Sequence, residues 1–248
     1  MVFNGVDVLI APGQYLSGPC FSFEKEGVRH LLRNEEEGPR LKILVWKQGP
    51  ATHLYTFKYI VGELGKSKES VLIFCDIFTF FQPYLIAFLT LRNTTSKSLK
   101  DMTLQFLLDF NVGGVENYDV NSGEYHPKDK VITQTAVGFP TMGFGSPARP
   151  QHWQASKAKE LHPYEGRLHL NDQMKWGPGD CSIGLEWDFP GLEPGQDGFT
   201  PIIIAGGKDY PEFLANYKNG VDRAKRITHR VFYSIRHPSR ITGPKEEK

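Results

Sequence analysis

Residues 99–112 read LKDMTLQFLLDFNV. Met102, Leu104, Phe106, Leu108 and Phe110 fall on one parity, while Thr103, Gln105, Asp109 and Asn111 fall on the other, interrupted only by Leu107. A period of two predicts a strand that is apolar on one face and wet on the other. It sets a carboxylate and two amides on an open sheet face, beside loops that carry Trp, Tyr and His. Such a surface suits a polar, hydroxyl-rich ligand.

The segments around this stretch extend the reading. Residues 83–92, PYLIAFLTLR, are apolar on both parities and are expected between two covered faces. Asn93-Thr94-Thr95-Ser96 reads as a turn, so the flanking strands are expected to pair antiparallel through a short polar loop. Residues 41–46, 53–61 and 71–78 read as further strands. In 183–189, Ile183, Leu185, Trp187 and Phe189 share one face and Gly184, Glu186 and Asp188 the other. Leu192-Glu193-Pro194-Gly195 is a tight turn before a strand at 199–205.

The middle of the chain, 113–180, has a weaker pattern. It is rich in aromatics (Tyr118, Tyr125, Phe139, Phe144, Trp153, Tyr164, Trp176) and holds His126, His152, His162 and His169. A structureless loop of that length is unusual in a compact domain, so short strands are expected near 131–137 and 167–170. One strong helix follows. Asp209 is a good N-cap, Glu212 completes a capping box, and Phe213, Tyr217, Val221 and Ala224 recur at helical spacing. The expected fold is mostly β: a large antiparallel β-sandwich over 1–208 with one C-terminal helix over 209–236, packed on the sandwich or extending from it, and a polar tail over 237–248.

Composition excludes several function classes. The net charge of +1 over 248 residues gives no field to recruit nucleic acid or an anionic membrane. The N-terminus lacks a charged lead and a long apolar core, so no signal peptide is expected. The apolar runs at 71–77 and 85–91 fall far short of a membrane span. Cys20, Cys75 and Cys181 contain no CxxC pair and read as thiols of a reducing compartment, hence a cytoplasmic protein. Asn93-Thr94-Thr95 matches a glycosylation sequon, which without a secretion signal is expected to be chance. There is no phosphate-binding GxxxxGK[ST] loop and no GxSxG nucleophile elbow. The Asp119–Glu124 loop reads as turn chemistry rather than a calcium loop. The histidines lack an i, i+4 pair, so neither a metal nor a cofactor is expected.

Three pieces, taken in order, carry a family resemblance. They are the strand pair PYLIAFLTLRNTTSKSLKDMTLQFLLDFNV, the segment GPGDCSIGLEWDFPGLEPGQ (177–196), and IAGGKDYPEFLANY (204–217). Their order resembles the galactose-mutarotase-like supersandwich, nearest to the N-terminal sandwich domain of glucoamylase-type glycoside hydrolases. In those hydrolases the terminal helix leads into a helical barrel that carries the catalytic carboxylates. The resemblance therefore implies a sandwich without its own hydrolytic machinery. Mutarotases of the superfamily use a His and a Glu that project from the sheet.

The candidate catalytic residues are Glu186, Asp109 and His126, with His152 and His169 as alternative acids. Mutarotation needs a base at the anomeric hydroxyl and an acid at the ring oxygen. Gln105, Asn111, Tyr118, Tyr125, Trp153, Trp176 and Asp188 are the candidate ligand-binding residues, with carboxylates and amides meeting sugar hydroxyls and aromatics covering apolar sugar faces. Trp187, on an apolar parity, is expected in the core. Three readings follow: a protein that binds a carbohydrate-like small molecule, an aldose 1-epimerase-like enzyme, and a structural or oligomerisation module. The macromolecular partners to consider are a second copy of the chain or a separate enzyme.

Overall fold

The computed structural model describes residues 2–3, 6–7, 18–32, 41–49, 51–61, 69–110, 112–161 and 169–236. The strands, in chain order, are β1 (Val2–Phe3), β2 (Val6–Asp7), β3 (Gly18–Lys25), β4 (Val28–Leu32), β5 (Leu41–Gly49), β6 (Thr52–Ile60), β7 (Ser70–Gln82), β8 (Tyr84–Asn93) and β9 (Lys100–Leu108). They continue with β10 (Ser122–His126), β11 (Val131–Thr135), β12 (Thr141–Gly145), β13 (His152–Ser156), β14 (Lys175–Trp176), β15 (Ser182–Phe189) and β16 (Asp197–Gly207). Helix α1 (Ala158–Leu161) is a single turn, and α2 (Tyr210–Arg236) is long.

Two antiparallel sheets make the sandwich. The large sheet has nine strands in the order β14-β10-β11-β12-β16-β8-β7-β6-β5, and the small one has five in the order β13-β15-β9-β3-β4. The apolar parity of β9 faces inward. Leu104, Phe106 and Leu108 pair in register with Trp187, Leu185 and Ile183 of β15. These side chains meet Ile132, Met142, Phe144, Leu89 and Ile204 of the large sheet in one core. Phe106 and Phe144 touch edge to face across the sheets, with centroids 5.3 Å apart. Trp187 is fully enclosed there, as its parity predicts.

The apolar doubling of 83–92 has the expected cause. Ala87 and Leu89 of β8 face the sandwich core, while Ile86 and Phe88 face a second apolar layer with Ile203, Phe213 and Tyr217 beneath α2. The helix starts as the sequence indicates. The Asp209 side chain accepts from the Glu212 N–H at 2.9 Å, and Glu212 reaches back to the Lys208 N–H. Gly220 lets the helix lie close to the sheet, since a Cβ there would stand 2.5 Å from Ile203 Cγ2.

Two expectations need correction. The strands at 84–93 and 100–108 do not pair with each other. β8 lies between β7 and β16 in the large sheet, and β9 lies between β3 and β15 in the small one. The loop between them carries the chain from one sheet to the other. Asn93 holds this crossing. Its side chain is fully buried, donates to the carbonyls of Lys97 and Leu192 at 2.8 Å each, and accepts from the N–H and hydroxyl of Thr95. The sequon at Asn93 is therefore closed to modification in the folded chain. Second, His169 and Leu170 form no strand, and 162–168 together with the tail 237–248 lie outside the described residues.

Replacing Asn93 by Ala strips two carbonyls and one N–H of their buried partner, each omission costing about 1–3 kcal/mol. The expected result in urea denaturation is a loss of about 3 kcal/mol for Asn93→Ala. Asp222→Asn, which breaks only an exposed contact with Lys225, is expected to shift stability by less than about 0.5 kcal/mol.

Candidate functional site

Antiparallel partners directly opposite each other share a sheet face. The outward face of the small sheet therefore carries one row made of Cys20, Gln105, Glu186 and His152, and beside it a row made of Ser22, Thr103 and Asp188. The polar parity of β9 and β15 does assemble on a single surface. That surface, however, is not open where the acids and amides were expected to meet water.

Leu107 explains the difference. It is the one apolar residue on the polar parity, and it packs with Leu161 of α1 and with Leu170 as a separate apolar cluster. Gly184 makes room for this cover; a Cβ there would come within 2.7 Å of Leu107 and 3.0 Å of Leu161. The segment around 169–174 is then tied down along β13. Asn171 donates its N–H to Gln154 Oε1, and Gln173 O accepts from Ala155 N at 2.9 Å. Beneath this roof Glu186 is 0% exposed and Gln105 2%.

A buried carboxylate is costly unless hydrogen bonds replace its water. Glu186 has three donors. Gln105 Nε2 and the Leu170 N–H reach Oε2 at 2.8 and 2.9 Å, and His169 Nδ1 reaches Oε1. His152 stands next to Glu186 in the row, with its ring centroid 5.4 Å from that of His169. Asp172 places both carboxylate oxygens 3.1 Å from His152 Nδ1. Its φ of +61° is the left-handed conformation that Asp tolerates better than most residues. Sequence spacing gave no sign of this group. Residues 152, 169 and 186 lie on β13, a covering segment and β15, and only sheet pairing brings them together.

The other nominated residues are dispersed. Asp109 lies one residue beyond β9, four positions past Gln105, which is about 14 Å along a strand from the Glu186 row. It is 6% exposed, and burial with the nearby Asp180 charge pushes its carboxyl up to about 6, partly offset by the neighbouring Ser182 hydroxyl. His126 is on the far side of the molecule. It belongs to the face of the large sheet that α2 covers, bonded to Thr133 Oγ1 at 2.9 Å and packed against the Tyr210 ring with centroids 4.3 Å apart. Burial there lowers its basicity. Both sheets thus separate His126 from Glu186, and of the three histidines weighed as partners it is His169 that bonds to Glu186.

Tyr125 and Trp153 stack on each other between the sheets, with centroids 4.3 Å apart and planes within 14°. Trp176 packs on the edge of the core and donates Nε1–H to Asp180 O at 3.2 Å. Tyr118 lies in a 3-10 segment, Val115–Val120. Its side chain and the whole of Asn111 lie outside the described residues. Asp188 is exposed and borders a cleft of about 440 Å³ on the outward face of the small sheet. Ser22, Arg29, Asp101, Thr103 and His169 also line it, with Met102 and Phe189 as its apolar part. Ser22 and Thr103 share a hydroxyl hydrogen bond of 2.7 Å, and Arg29 is anchored on the Asp101 carbonyl.

No protein-family model and no curated protein sequence matches the chain. Its fold does match solved structures. A bacterial glucoamylase complexed with acarbose aligns with a TM-score of 0.53 and 12% identity over 84% of this chain and 29% of its own. A GalM/aldose epimerase homologue from C. elegans aligns with a TM-score of 0.43 and 8% identity over 78% of this chain and 81% of its own. A galactose mutarotase-like protein from Clostridium acetobutylicum gives 0.43 and 7% over 77% and 78%. The chain spans 29% of the length of the glucoamylase it matches. No helix among the described residues is long and apolar enough to cross a membrane.

The Asp109 environment predicts a pH signature. A carboxyl raised from about 3.8 to about 6 favours its protonated form in the fold. The stability it contributes is complete below pH 3.8 and is lost as pH rises through 6. At about 1.4 kcal/mol per unit, ionised Asp109 costs up to about 3 kcal/mol at neutral pH. Asp109→Asn is therefore expected to be more stable than the parent at pH 7.5, by about 1–3 kcal/mol, with the gain vanishing near pH 4 in matched denaturation curves.

Proposed function

We propose, from a chain with the galactose-mutarotase-like β-sandwich fold, that this protein binds a carbohydrate-like ligand in the cleft on its small sheet. The observation that carries this reading is the lining of the cleft. Two hydroxyls, two acidic residues, a guanidinium and an imidazole surround a space that also presents Met102 and Phe189. A sugar has the matching character, with hydroxyls around its rim and an apolar face of C–H groups. The volume of about 440 Å³ is in the range of small-molecule sites, about 300–1,000 Å³. The bound acarbose of the glucoamylase adds support by analogy of fold. Of the residues nominated from sequence, Asp188 and His169 line this cleft, and Glu186 holds His169 from the adjacent row.

Isothermal titration with glucose, galactose, maltose and acarbose tests the proposal. At least one is expected to bind. Asp188→Ala and Arg29→Ala, both at the protein surface, are each expected to weaken it about tenfold or more, as loss of a charge-assisted hydrogen bond does. A chain that binds none of them at millimolar concentration, or whose binding survives both substitutions, refutes the assignment.

The contact between Glu186 and His169 favours a second reading, aldose 1-epimerase-like catalysis. Glu186 is sealed from solvent, so in this reading it orients His169, and His169 and Asp188 exchange protons with the sugar. Polarimetry of freshly dissolved α-glucose and α-galactose decides it. Catalysis requires a rate above the spontaneous one that falls to that rate in His169→Ala.

A further inference from the structure

We propose that His152, His169 and Glu186 form a binding site for a divalent transition-metal ion of the zinc class. One nitrogen from each imidazole and one carboxylate oxygen lie within 4.8 Å of one another. Bonds of about 2.0–2.2 Å in a tetrahedral arrangement set ligand atoms about 3.4 Å apart, so the longest edge of the triangle contracts by up to about 1.4 Å while the hydrogen-bonded edge between His169 Nδ1 and Glu186 Oε1 opens to admit the ion. His169 can make that movement, since its side chain is 54% exposed at the border of the cleft.

The remaining parts are held in advance. Gln105 and the Leu170 N–H both grip Glu186 Oε2, which leaves Oε1 directed at His169. Asp172 accepts from His152 Nδ1, and that hydrogen bond fixes the tautomer whose lone pair is on Nε2. A carboxylate behind a ligating imidazole is the usual outer support of a zinc site. Two imidazoles and one carboxylate favour a borderline ion over calcium or magnesium, which prefer all-oxygen shells. Three protein ligands also leave a fourth position for water or ligand oxygen. In the metal-free state the contact between His169 and Glu186 occupies the position that the ion takes.

The test uses the full chain without an affinity tag and Co²⁺ as the spectroscopic probe. One equivalent of Co²⁺ is expected to give the intense visible bands of a tetrahedral ion, and Zn²⁺ to displace it. His152→Ala and His169→Ala, both at least partly exposed, are each expected to abolish those bands while circular dichroism and the thermal midpoint show a folded chain. Asp172→Asn, which tolerates the same backbone conformation, is expected to weaken Zn²⁺ by about 10- to 100-fold. A pale octahedral spectrum in the parent protein, or tetrahedral bands that persist in His169→Ala, overturns the site. No sugar enters this readout, so its failure leaves the carbohydrate proposal standing, and the reverse also holds.

Discussion

The register of β9 against β15 is the constraint on which the rest depends. It sets Leu104, Phe106 and Leu108 against Trp187, Leu185 and Ile183 on the inward face, and Gln105 against Glu186 on the outward one. A slip of β15 by one residue would exchange its two faces along its whole length. It would drive Glu186 into the apolar core and expose Trp187. Core and outward polar row are therefore one decision, made by the same ladder. The large buried area on one side enforces the order of polar groups on the other.

That outward row shows how a polar sheet face becomes a built site rather than a hydrated one. Burial of a carboxylate at Glu186 is tolerated because Gln105, His169 and the Leu170 backbone replace its water. Leu107, Leu161 and Leu170 supply the apolar roof that makes this replacement necessary. The covering segment does two jobs. It excludes solvent from Glu186, and it delivers His169 and Asp172 to positions that β15 and β13 alone do not provide. Beside the roof, the row of Ser22, Thr103 and Asp188 lines the cleft.

Much of the architecture is legible in the sequence because alternation is a local property. The inward parity of β9 and β15, the doubly covered β8 and the capped start of α2 each follow from residues a few positions apart. The pairing of strands is not local, and there the reading of 83–112 as one hairpin fails. Asn93 bonds to Leu192, 99 residues away, and sends the chain to the opposite sheet. The same limit applies to the site. Asp109 and Glu186 share a parity yet stand about 14 Å apart, and His126 lies behind the other sheet. Glu186 instead finds His169 and His152 through pairings that no spacing rule encodes. Leu107 was the available signal: an apolar residue on a polar parity indicates a local cover.

The cysteines lead to a different conclusion from the one that their number suggests. Cys20 and Cys181 are buried, the three form no disulfide, and burial pushes the thiols of Cys75 and Cys181 up to about 12. Cys181 sits so close beneath Gly123 that a Cβ there would stand 2.7 Å from its sulfur. A thiol held this way is protonated at neutral pH and shielded from oxidants, so its survival says nothing about the redox state of the surroundings. It reacts only when the packing around it opens. Cys181 is thus a native clock for opening of this junction between the layers, and the rate at which it is captured by a thiol reagent measures how often that packing opens.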